Sequence, residues 1–180
     1  LGTVQGDEPM DDFREKVQAS ASGFERLVLK IPGFGGYKEK EQRREADKLL
    51  RLHVARQYEA QLARLNSLQT DLAAQGDLKT VLTLERAAMK LQLLIDRIKT
   101  ASYGYAGLFD AVKVDDAALD RLYAFDEGLL EGAERLAAVL DRMAGALAIE
   151  QVPTAEAKEL VTLLEELHTT FSRRQDVIVG

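Results

Sequence analysis

The stretch VLTLERAAMKLQLLIDRI, residues 81–98, carries apolar side chains at Val81, Leu84, Ala88, Leu91, Ile95 and Ile98. The gaps alternate between three and four residues, which lays one stripe along a helix; a half-buried strand would instead alternate every second residue. No Pro or Gly interrupts the run. A helix cannot bury such a stripe against itself, so the segment demands other elements with apolar faces of their own.

Those elements stand on either side of it. Just upstream, Gly76 suits the left-handed residue after a helix and Asp77 suits an N-cap, so a helix over about 78–103 is expected to fold back against the one before it. That earlier helix, about 38–75, is free of Pro and Gly and sets Val54, Tyr58, Gln61, Leu65, Leu68 and Leu72 in register, preceded by Leu49, Leu50 and Leu52. Downstream, Gly104 and Gly107 interrupt the pattern. After Asp115 or Asp116 as N-cap it resumes over about 116–148 with Leu119, Leu122, Asp126, Leu129, Ala133, Leu136, Leu140, Met143 and Leu147. Beyond the Pro153-Thr154 break, residues 154–174 contribute Ala157, Leu160, Leu164, Leu167 and Phe171. Four stripes joined partly by short connections predict an all-α fold: an elongated antiparallel up-down-up-down bundle over residues 38–176. The same spacing also serves seams closed between chains, as in a coiled coil.

Ahead of the bundle, Met10, Phe13, Val17, Phe24, Leu27 and Ile31 mark an additional amphipathic helix over residues 10–31, weakest at Ser20–Gly23. Pro32 stops it, residues 32–37 form a Gly-rich hinge, and residues 1–9 are expected to be disordered or a linker.

Composition sets the broad class. Of the 180 residues, 46% are hydrophobic and 30% charged, as in water-soluble globular domains of about this size. The longest uncharged stretch, about ten residues from Thr100 to Phe109, is far short of the roughly 18 needed to span a bilayer. With no cysteine, disulfides and thiolate metal sites are excluded, and a cytoplasmic location is the expectation. Charge is unevenly spread: residues 1–37 are net −2, residues 38–109 net +4 and residues 110–180 net −8, which together make the chain's −6. The basic and acidic halves are expected to attract along their packed edges. Acidic residues interleaved in KEKEQRREADKLLR, 38–51, and the negative total argue against nucleic acid.

The motif that looks most like a site is Gly33-Phe34-Gly35-Gly36-Tyr37-Lys38-Glu39. It fails as a phosphate-binding loop: the glycine spacing is wrong, Tyr37 separates glycine from lysine, and Glu39 replaces the hydroxyl that would hold magnesium. It reads as a hinge whose Phe34 and Tyr37 pack under a neighbour or meet a partner. A second aromatic group, in SYGYAGLFDAVKV (102–114), offers Tyr103, Tyr105 and Phe109 as a packing knot or a recognition surface.

Catalytic and metal chemistry have little to stand on. A di-iron bundle needs two Glu-x-x-His pairs, and this chain has only Glu165–His168, because Leu50 lies three residues before His53. Both histidines read as partly buried structural residues, and no metal or cofactor is expected. Asp126 is the exception, a carboxylate on an apolar seam. Either local rotation carries it to the solvated edge, or it is buried with Arg97, Lys99, Tyr103 or Tyr105 as the reachable partners. The expectation is therefore a non-enzymatic bundle that works in protein–protein interaction, scaffolding or self-association. The rivals are a peripheral membrane-surface protein using residues 10–37, disfavoured on anionic lipid by their net negative charge, and a small-ligand or ion-binding bundle centred on Asp126 and nearby tyrosines.

Overall fold

The computed structural model describes residues 40–101 and 116–173, which form four α-helices and, among themselves, no strand: α1 (Lys40–Gln75), α2 (Leu78–Thr100), α3 (Asp116–Ala148) and α4 (Thr154–Ser172). The fold is all-α. The amphipathic segment 10–31, the hinge 32–37 and the stretch 102–115 lie outside the described residues.

At 1.5 Å per residue α1 is about 54 Å long. It ends at Gly76, whose φ of +86° is the left-handed geometry that glycine adopts without penalty. Asp77 then caps α2, its carboxylate accepting from the Thr80 N–H at 3.4 Å. Both roles were legible beforehand. The turn from α3 to α4 solves the same problem without glycine. Gln151 N–H reaches Ala146 O and Glu150 N–H reaches Leu147 O, a Schellman closure that places Glu150 at φ +56°.

α1 packs against α2 and α3, and α4 packs against the same two helices. Contacts between side chains give the directions. Tyr58 meets Leu129 and Arg64 meets Asp141, so α1 and α3 advance together. Lys90 meets Glu165 and Arg97 meets Ser172, so α2 and α4 do likewise. Arg135 pairs with Glu166 and Arg142 with Glu159, which makes α3 and α4 antiparallel, as α1 and α2 are across Gly76. The Gly76 turn and the 149–153 turn consequently share one end of the bundle.

Most of the seam residues read from the sequence form the core, while Gln61, Val81, Ala88 and Leu147 are only partly buried and the side chains of Leu119 and Leu122 lie outside those described. Val54, Tyr58, Leu65 and Leu72 of α1, Leu84, Leu91, Ile95 and Ile98 of α2, Leu129, Leu136, Leu140 and Met143 of α3, and Leu160, Leu164, Leu167 and Phe171 of α4 are all buried in one cluster. Leu49 and Leu52 are exposed, while Leu50 between them is buried. Among the described residues, ion pairs tie neighbouring helices. The two that join the first hairpin to the second, Arg64–Asp141 and Lys90–Glu165, each set a cation of the basic half on an anion of the acidic half. Their side chains are well exposed, so each contributes at most about 1 kcal/mol; they select neighbours more than they hold the fold.

Candidate functional site

Three places in the bundle gather polar chemistry, and one gathers exposed apolar surface. The first polar place is a cross-brace between α2 and α4. The Arg97 guanidinium donates to His168 Nδ1 (3.1 Å), to the His168 carbonyl (3.4 Å) and to Ser172 Oγ (3.0 Å), and it lies 5.0 Å from the centre of the Phe171 ring. Because Arg97 can only donate, Nδ1 must accept; the ring proton then sits on Nε2 and is donated to the Lys90 carbonyl at 2.8 Å. Both imidazole nitrogens are used in holding helices together. His168 is half-buried, as its place on the flank of the stripe implies.

The second is Tyr58, fully buried at the junction of α1 and α3, whose hydroxyl donates to the Leu129 carbonyl at 2.7 Å. The contact requires Gly132: a Cβ there would stand 2.7 Å from the Tyr58 oxygen and 2.5 Å from Leu167 Cδ2. Burial pushes the Tyr58 phenol well above its ordinary value of 10.0, and the charge of Arg135 opposes this only in part. The sign of the consequence follows. The unfolded chain begins to lose this proton near pH 10 and the folded chain keeps it, so Tyr58 stabilises fully below about pH 10 and progressively less as pH rises. We expect urea midpoints to fall on going from pH 8 to about pH 11, and Tyr58→Phe to flatten that fall; a wild-type midpoint that holds steady would contradict it.

The third is a groove of about 340 Å³ between α1 and α3, lined by His53, Gln57, Gln61, Leu130, Ala133, Glu134 and Ala137. Burial first, and then the neighbouring Arg56, lower the pKa of His53, which keeps its imidazole neutral near pH 7. The groove is open and pairs no nucleophile with a base. Among the described residues neither imidazole is hydrogen-bonded to a carboxylate or hydroxyl, and no group of three or more potential metal-binding side chains converges.

Asp126 is buried, with 1% of its surface exposed, in line with Leu129, Ala133 and Leu136. The solvated-edge position is thereby corrected: α3 holds its register, and the carboxylate stays on the seam. Arg97, its expected partner, is turned towards α4, and Lys99 is paired with Glu59 of α1. Tyr103, Tyr105, Phe109, Phe34 and Tyr37 lie outside the described residues.

The apolar surface is on the outside of α2. Leu78, Leu82, Met89 and Leu93 are 67%, 59%, 61% and 55% exposed. At 3.6 residues per turn they share an arc of about 60° and run about 22 Å along the helix. Ile149 and Val152, also exposed, stand at the bundle end where α2 begins. The sequence reading missed this face because it followed the stripe that best fits a core; the signal available was the surplus of apolar residues in α2 beyond one stripe.

No helix among the described residues is long and apolar enough to cross a membrane. Comparison with family models, curated proteins and solved structures finds no match to this chain.

Proposed function

We propose that the chain is a non-enzymatic helical-bundle protein acting by protein–protein association, as a scaffold or assembly element. In this reading the whole molecule is an up-down-up-down bundle over residues 38–176 with the amphipathic helix 10–31 attached through the hinge 32–37. The observation that carries it is the outer face of α2, where four large apolar side chains line up in solvent. Scattered apolar residues are ordinary on a surface, but a contiguous apolar stripe on an exposed helix is the usual mark of a docking face. Its rim supports the same reading: Lys79, Glu85, Arg86 and Gln92 frame it, giving an apolar centre and a polar border.

The test is light scattering behind size exclusion, run on the whole chain and on a version beginning at Tyr37. Association by either form above its chain mass, or a defined complex with a protein partner, is the expected result. Binding of the whole chain to liposomes, lost with residues 1–36 and unaffected by charge reversal on α2, would replace this reading with the membrane-surface one.

A further inference from the structure

We draw no further inference here: the strongest candidate, the outer apolar face of α2 formed by Leu78, Leu82, Met89 and Leu93, carries none because nothing in the structure shows what covers it.

Discussion

Replacing Gly132 with valine is expected to lower the unfolding free energy by about 3 kcal/mol, although the residue sits inside a helix where glycine is itself a poor choice. Removing the glycine gains about 1 kcal/mol of helix propensity with alanine and less with a β-branched residue. Against that gain stands a close approach: the new Cβ meets Leu167 Cδ2 at 2.5 Å and the Tyr58 hydroxyl at 2.7 Å. The leucine tip can turn away. The phenol cannot do so without breaking its bond to the Leu129 carbonyl, which would leave a buried acceptor and a buried hydroxyl in an apolar layer. Alanine should therefore cost little more than about 1 kcal/mol net, and valine, whose two further methyls have nowhere to go, the full overpacking penalty. Urea denaturation reads both. A cycle with Tyr58→Phe tests the cause, because removing the hydroxyl should make Gly132→Ala cheaper than it is in the natural chain. Valine tolerated within about 0.5 kcal/mol would mean that α1, α3 and α4 do not meet as closely at this layer as described.

Why this glycine escaped the sequence reading is instructive. The heptad pattern locates the apolar face of a helix, and on that count Leu84, Leu91, Leu136 and Leu164 were correctly assigned to the core. Local punctuation was equally readable, since Gly76 and Asp77 act through backbone geometry that depends on their immediate neighbours alone. What a stripe does not encode is which other stripe it meets. Four faces built mostly from leucine and alanine are nearly interchangeable, so the adjacency of α1 to α3, and with it the need for a small residue beside Tyr58, only emerges once the helices are placed. The same blindness applied to Asp126: one charged member of a seam can leave it by a small rotation, and the burial of Asp126 itself, in line with Leu129 and Ala133, shows that it does not. It applied most of all to α2, where the apolar residues of the outer face went unread beside the core stripe. The aromatic positions Phe34, Tyr37, Tyr103, Tyr105 and Phe109 gave the candidate surface on the sequence alone; the described residues give a different one.

The two faces of α2 make the sharpest comparison available within a single helix. Leu84→Ala is expected to cost about 3 kcal/mol, because Leu84 is fully buried and its removal leaves a cavity that the neighbouring helices can close only partly. Leu82→Ala, two residues away with the same chemistry deleted, should change the stability of the isolated monomer by no more than about 0.5 kcal/mol, since 59% of Leu82 already faces water. Alanine is also the better helix former, which tilts the second value towards zero or slightly stabilising. Equilibrium unfolding at low protein concentration measures both without interference from pairing. Repeating the measurement at high concentration is the informative step, because association adds to apparent stability by mass action whatever it buries. If the outer face is buried in pairing, Leu82→Ala then acquires a cost that it lacked in dilute solution, whereas the cost of Leu84→Ala changes little. A Leu82 cost that is large in both conditions would assign the residue to the core after all, and one absent in both would leave the outer stripe of α2 without a self-partner.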